Sequence, residues 1–343
     1  MAWPSRPLTV RTGTPAASLL HLGPGLANAG ANLHNAMRAR TPIVNIVGDH
    51  ARDHRHLDAP LTSDIEGLAR TWSTFVRPSR SASMVAPDAA EAIVRAQEGE
   101  GGIATLILPA DTAWGPAQAA ASVRPVPPRP APPAARVDTA AAVLRRDGAK
   151  SLLLIGGRAL TDPAALDAAD RIAQATGAEV LTETMVSRIE AGAGRVDVRS
   201  VPYPVDAAVQ RLAGFRTCVT VDAKAPVAFF AYPGKPGTLL PPDCAVHPLC
   251  LGHEDATASL EALAAAVDAA GFAPRHAMRA DPVPPGTGRL TPEAIGTALA
   301  AHLPDNAIIC DESLTAGRRV LQTMAGAPTH TRLRLSGGAI GIG

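Results

Sequence analysis

Aromatic side chains are nearly missing from this 343-residue chain: five Phe, three Trp and two Tyr make up 3% of it. Base-stacking platforms for nucleic acid are thereby excluded, and the cores must be built from Ala, Val, Leu and Ile. Net charge is missing too. The 32 Lys and Arg against 31 Asp and Glu leave +1, which provides no electrostatic footprint for nucleic acid or an anionic membrane. Only four cysteines occur, Cys218, Cys244, Cys250 and Cys310. They are too few for a disulfide framework and fit a reducing compartment. The longest uncharged run, Thr12 to Met37, is broken by glycine, proline, histidine and asparagine, so it does not read as a transmembrane helix. Met1 to Pro7 shows no apolar core of a secretory signal, and a cytoplasmic location is expected by default. Proline, by contrast, is abundant at 32 residues. With 46% hydrophobic and 18% charged residues and a mean hydropathy of +0.09, the chain reads as an ordinary soluble globular protein of two or three domains.

Two proline-rich stretches divide it. Arg124 to Arg136 holds six prolines, and Pro274 to Pro292 holds five prolines and two glycines; both read as extended linkers. The expected domains are 1–123, 137–273 and 291–343, joined by linkers 124–136 and 274–290. In the first, Ala16 to Leu20 is a short apolar run, Asn28 is expected to cap a helix through Arg40, and Ile43 to Val47 is a β-branched run ended by Gly48. A helix over Asp88 to Gln97 and a strand over Ile103 to Leu108 follow. Such unalternating strands belong in a parallel sheet covered on both faces. The middle segment repeats the rhythm. Strands are expected at 151–155, 179–181, 217–221 and 245–249, with helices at 164–176, 206–213 and 257–270. The fold class is therefore α/β, with doubly wound parallel sheets. The third segment opens on Thr291-Pro292-Glu293, an N-cap with proline at the first helical position. A strand at 307–310 follows, and 53 residues are too few for that strand to find the neighbours that would cover it, so self-association is expected.

The sharpest local feature is His21-Leu22-Gly23-Pro24-Gly25-Leu26-Ala27-Asn28, where a parallel strand gives way to a helix. In open α/β sheets ligands bind at such carboxyl ends. Glycines let a ligand approach the backbone, and His21 adds a titratable group; a plain glycine turn beside a structural histidine accounts for the same pattern. Two groups of metal-ligating residue types occur. Asp49, His50, Asp53, His54, His56 and Asp58 crowd one loop, which reads as solvated. Cys244, His247, Cys250 and His253 are spaced by three, a spacing that a strand sends to opposite faces. Gly337, Gly338, Gly341 and Gly343 have no following helix to make a nucleotide loop.

The run LLHLGPGLANAGANLHNAMRARTPIVNIVGDH, followed in order by DAPLTSDIEGLARTWSTFV, TLILPADTAWG, LLLIGGRAL, AFFAYPGKP, AIICDES and SGGAIGIG, resembles the thiamine diphosphate-dependent 2-oxo acid enzymes. Acetolactate synthase large subunits and benzoylformate decarboxylase belong to that family. The resemblance covers nearly the whole chain. It implies an N-terminally shortened pyrimidine-binding-type domain, a complete central domain and the first part of a diphosphate-binding-type domain. The implied activity is decarboxylation or carboligation of a small 2-oxo acid by an oligomer carrying thiamine diphosphate and Mg²⁺.

By the same resemblance His21 falls where decarboxylase-like members place a proton-transferring histidine. Gly25 and Asn28 match the turn and helix start that shape the pocket, and Gly48 and Asp49 lie at the next strand end. Glu312, Ser313 and Thr315 match the loop approaching the diphosphate, Gly338 the backbone near the aminopyrimidine, and Ile340 the apolar wedge that keeps the cofactor bent. The family's catalytic glutamate has no counterpart among Met1 to Leu20, and its Mg²⁺ motif has none before Gly343. The resemblance thus implies a chain shortened at both ends that does not turn over alone, or a non-catalytic remnant or interaction protein. Flavin in the central domain is not expected, although the Gly156-Gly157 turn occurs in flavin-binding and flavin-free relatives alike.

Overall fold

A computed structural model describes residues 14–117, 119–281, 287–313 and 316–340. The described residues form two compact units, one from Met1–Pro128 with Ser336–Gly343, the other from Arg129–Leu335.

In the first unit the apolar runs become strands Ile43–Asp49 (β2) and Ile103–Pro109 (β4). They pair in parallel with each other and with Ala16–His21 (β1) and Phe75–Pro78 (β3), in the order β1-β2-β4-β3. Alternate residues of each central strand serve opposite faces. Leu20, Val47 and Ile107 join Leu26, Leu33 and Ile65 in one core. They lie beneath helices Leu22–Asn28 (α1), Gly30–Arg38 (α2) and Ile65–Arg70 (α3). Val44 and Ala104 pack on the other face against Ala92 and Ala96, of which Ala92 lies on helix Ala82–Arg95 (α4). That helix begins six residues before the expected one. One row of the sheet is polar: Ser18, Asn45 and Thr105 are register partners. Ser18 Oγ donates to Asn45 Oδ1 at 2.6 Å, Asn45 Nδ2 to Thr105 Oγ1 at 3.3 Å, and Ser73 Oγ lies 2.8 Å from Thr105 Oγ1.

The second unit holds Ala134–Asp147 (α5), Ser151–Ile155 (β5), Pro163–Thr176 (α6), Glu179–Thr182 (β6), Arg188–Ala191 (β7), Arg199–Ser200 (β8), Val205–Leu212 (α7), Thr217–Val221 (β9), Ala245–Cys250 (β10) and Ala256–Ala266 (α8). Its five-stranded parallel sheet runs β10-β9-β5-β6-β8. Leu153 and Ile155 face one core, Leu152 and Leu154 another, so the strand is apolar on both faces. This is the doubly wound parallel architecture that its run of leucines implies.

The third segment differs from expectation. Pro292–His302 (α9) and Ala307–Asp311 (β11) form much as read, Ala316–Gln322 (α10) follows, and His330–Arg334 (β12) pairs in parallel with β11. β12 also pairs antiparallel with β7 of the middle segment, Leu333 opposite Arg188 and His330 opposite Ala191. β11 therefore gains one neighbour, β12, and stays the edge strand of a three-stranded sheet β11-β12-β7 that joins residues 291–335 to the middle segment. Gly192, just after β7, permits this junction. Its φ is +96°, and a Cβ there would stand 2.5 Å from the Pro328 carbonyl oxygen.

Candidate functional site

At the carboxyl end of the N-terminal sheet, His21, Gly48 and Leu108 are register neighbours on β1, β2 and β4. His21 is exposed, and a Cβ placed on Gly48 would meet nothing within 4 Å. A histidine thus stands next to open space at the strand ends where ligands of such sheets bind. The turn that places it is sharp. α1 starts at once with Leu22, whose φ of +52° is rare for a residue with a side chain. Backbone strain of this kind costs about 1–3 kcal/mol and concentrates at functional sites; nothing in the sequence signals it. Gly23 is needed at the turn because a Cβ would sit 1.9 Å from Ser63 Oγ.

Asn28 is not the helix cap expected of it. It is the exposed last residue of α1, and Ala29 separates it from α2. Pro24 falls in the first turn of α1, where backbone N–H groups have no helical partner, so a Gly-Pro-Gly string that reads as a turn is helical.

Asp49, at the end of β2, is buried. Its Oδ1 accepts from the His50 backbone N at 2.7 Å, and its Oδ2 lies 3.5 Å from Arg55 Nη1. The loop that follows is pinned by a contact the sequence did not reveal: Arg52 Nε donates to Asp111 Oδ2 at 2.7 Å, and Arg52 N to Asp111 Oδ1 at 3.0 Å. The Arg52 guanidinium holds the Asp111 carboxyl below the usual carboxylate range. The ends of β2 and β4 are thereby clamped together. Among the described residues no group of three or more His, Cys, Asp or Glu side chains is arranged to hold a metal ion. This includes the His50–His54 loop and the Cys244–His253 stretch, where burial pushes the Cys250 thiol up to about 11. No described helix is long and apolar enough to cross a membrane.

The first unit therefore carries His21, Gly25, Asn28, Gly48, Asp49, Gly338 and Ile340, and the second carries Glu312 and Ser313. Thr315 lies outside the described residues. Asp311 Oδ1 accepts from the Ser313 backbone N at 2.9 Å and from Ser313 Oγ, so this turn is closed on itself. Gly338 has φ +75°, and Ile340 leaves 56% of its surface exposed. A cleft of about 470 Å³ lined by Arg40, Trp72, Phe75 and Arg95 opens instead at the amino ends of β3 and β4, away from His21.

Parallel strands covered on both faces, with an exposed histidine and an open glycine at their carboxyl ends, define an α/β protein whose strand ends are the candidate place for a ligand. Comparison with known proteins sharpens this. Residues 8–69 match the thiamine pyrophosphate enzyme N-terminal TPP binding domain. The chain is 46% identical over 331 residues to IlvX of Mycobacterium tuberculosis, named as a candidate acetolactate synthase large subunit; the match covers 96% of this chain and 63% of that protein. Its fold is shared with the thiamine diphosphate-dependent 4-hydroxybenzoylformate decarboxylase of Rhodococcus jostii RHA1. There the TM-score is 0.77 at 19% identity, over 98% of this chain and 67% of that one. Benzoylformate decarboxylase of Polynucleobacter necessarius superposes with a TM-score of 0.73 at 19% identity, over 98% and 66%. The chain thus carries a match to the N-terminal domain of thiamine pyrophosphate enzymes, shares their fold, and spans about 63% of the length of the acetolactate synthase large subunit-like relative it resembles.

Proposed function

We propose that this acetolactate synthase large subunit-like chain binds thiamine diphosphate and acts on a small 2-oxo acid, by decarboxylation, carboligation or both. The 46% identity along nearly the whole chain carries the proposal, and the exposed His21 beside the open place at Gly48 supports it. Gly25, Asn28, Gly338 and Ile340 would hold the aminopyrimidine side of the cofactor. The left-handed Gly338 and the exposed Ile340 side chain suit a backbone contact and an apolar wedge. Gly48 and Asp49 would border the substrate, and Glu312, Ser313 and Thr315 belong to the diphosphate side. When bound, thiamine diphosphate supplies a carbon nucleophile and an electron sink for the bond broken next to the carbonyl. His21 would exchange a proton with the substrate carbonyl oxygen, a role that contributes roughly 10²–10⁴-fold in comparable sites.

Mg²⁺ belongs to the family expectation for the diphosphate, but the described residues do not form a His, Cys, Asp or Glu cluster to hold it. Flavin is not part of the proposal. At the carboxyl ends of β5 and β9 a Cβ on Gly156 would stand 2.6 Å from Glu183 Oε2 and 2.8 Å from the Asp222 carbonyl oxygen. That crevice is lined by the chain's own oxygens. A cytoplasmic homo-oligomer completes the proposal. The alternative to turnover is a non-catalytic interaction protein of the same family.

Calorimetric titration of the purified chain with thiamine diphosphate and Mg²⁺, paired with CO₂ release from pyruvate and benzoylformate, separates the two. Turnover that falls at least about 100-fold in His21→Ala supports the enzyme. Cofactor binding without turnover supports the non-catalytic member, and no binding at all defeats the proposed enzyme.

A further inference from the structure

α2 carries an asparagine that its own helix does not use. Asn35 lies mid-helix, where asparagine is a poorer choice than alanine, and it is only 4% exposed. Both halves of its amide are spent on the backbone of one distant residue: Nδ2 donates to the Ala339 carbonyl at 2.7 Å, and Oδ1 accepts from the Ala339 N–H at 3.1 Å. Alongside, His34 Nε2 donates to the Gly337 carbonyl at 3.1 Å, and Ser336 Oγ donates to the Asn35 carbonyl at 3.1 Å. The fit is selective. A Cβ on Gly337 would come within 2.6 Å of Asn35 Oδ1, 2.9 Å of Asn35 Cα and 2.9 Å of His34 Cδ2, and Gly338 needs φ +75°. All of these residues lie in the first unit.

We propose that the His34–Asn35 face of α2 is a docking site for a Gly-Gly backbone segment, and that its resident occupant is Ser336–Ile340 of the same chain. Recognition is by main chain: two adjacent positions must lack a side chain, and the next residue must present its N–H and C=O as a pair, as an added strand would. The segment is then a strap that belongs to the N-terminal unit although β12 immediately before it belongs to the other. If the cofactor assignment above is right, Gly338 and Ile340 lie in the same unit as Gly25 and Asn28; the docking itself does not depend on that assignment.

Hydrogen exchange on the full chain without cofactor tests it. The Ala339 amide should be protected, equally at 0.5 and 50 μM protein. Protection should fall at least about tenfold in Asn35→Ala and in Gly337→Ala, while Ser336→Ala, which removes one peripheral bond, has a smaller effect. An excess of the synthetic peptide LSGGAIGIG should speed exchange at Ala339 in the wild type and leave Asn35→Ala unchanged. Exchange at Ala339 that is unprotected, or the same in wild type and Asn35→Ala, overturns the proposal. So does protection that rises with protein concentration, which would assign the occupant to a second copy.

Discussion

Replacing Gly192 by alanine tests how the third segment is held. Two glycines near the end of β7 adopt left-handed backbone, Gly192 at φ +96° and Gly194 at φ +75°. They differ in their surroundings. A Cβ on Gly194 meets nothing within 4 Å, whereas one on Gly192 meets the Pro328 and Ala327 carbonyl oxygens at 2.5 and 2.8 Å and His330 Nδ1 at 2.9 Å. Those carbonyls cannot swing aside, because Ala193 N donates to the Ala327 carbonyl at 2.8 Å and Thr329 Oγ1 to the Ala193 carbonyl at 2.7 Å. Gly194→Ala should therefore cost only the conformational strain, about 1–2 kcal/mol. Gly192→Ala should cost that plus about 1–3 kcal/mol for forcing the strands apart. The excess corresponds to roughly 5- to 150-fold faster opening, read as hydrogen exchange of the β12 amides, since a chain of two units need not unfold in one step. Equal exchange of β12 in the two variants would refute the pairing of β12 with β7.

Burial lowers the pKa of His330, which is 1% exposed, and its ring sits between the Pro328 carbonyl and Arg332 Nε at 2.7 and 2.9 Å. The folded state thus binds that proton less readily than the unfolded chain, so its contribution is full above the ordinary imidazole range and is lost as pH falls below it. Urea midpoints at pH 7.5 and 5.5 should drop more in the wild type than in His330→Gln, and parallel drops would count against the neutral ring. Burial also pushes the Cys218 thiol up to about 12 and Cys250 up to about 11, while Cys310 is exposed. A thiol reagent at pH 8 should label Cys310 first and reach Cys218 and Cys250 only in denaturant; their prompt labelling in the folded chain would contradict the packing.

What was legible in the sequence was whatever a long apolar run announces. Ile43–Val47, Ile103–Leu108, Ser151–Ile155 and Thr217–Val221 all appear as inner strands of their sheets, because burial on both faces selects runs dominated by apolar and β-branched residues. Short strands rich in polar or charged residues were not legible, whereas the edge strands β1, β10 and β11 were. Phe75–Pro78, Arg188–Ala191 and Arg199–Ser200 are short and half polar, and His330–Arg334 alternates with charge and finds β7 some 140 residues away. Their strand character comes from a partner, which local pattern does not encode. At the site, the place of His21 follows from the strand-end rule. The helical state of Leu22 to Asn28 was hidden by a glycine-proline string, and the division of the assigned residues between two units was invisible to spacing.

The polar row Ser18–Asn45–Thr105–Ser73 has a consequence for how this sheet finds its form. Strands made of Ile, Val, Leu and Ala are nearly interchangeable partners, and a slide by two residues keeps every apolar side chain on its proper face. Such a slide would set the Asn45 amide opposite leucine or isoleucine and strand it in the core, at about 1–3 kcal/mol for each group left without a partner. The row works as a key cut into otherwise uniform teeth. It adds little to the depth of the native well, yet it makes neighbouring alignments shallower, so a sheet poor in aromatic landmarks still closes in one register.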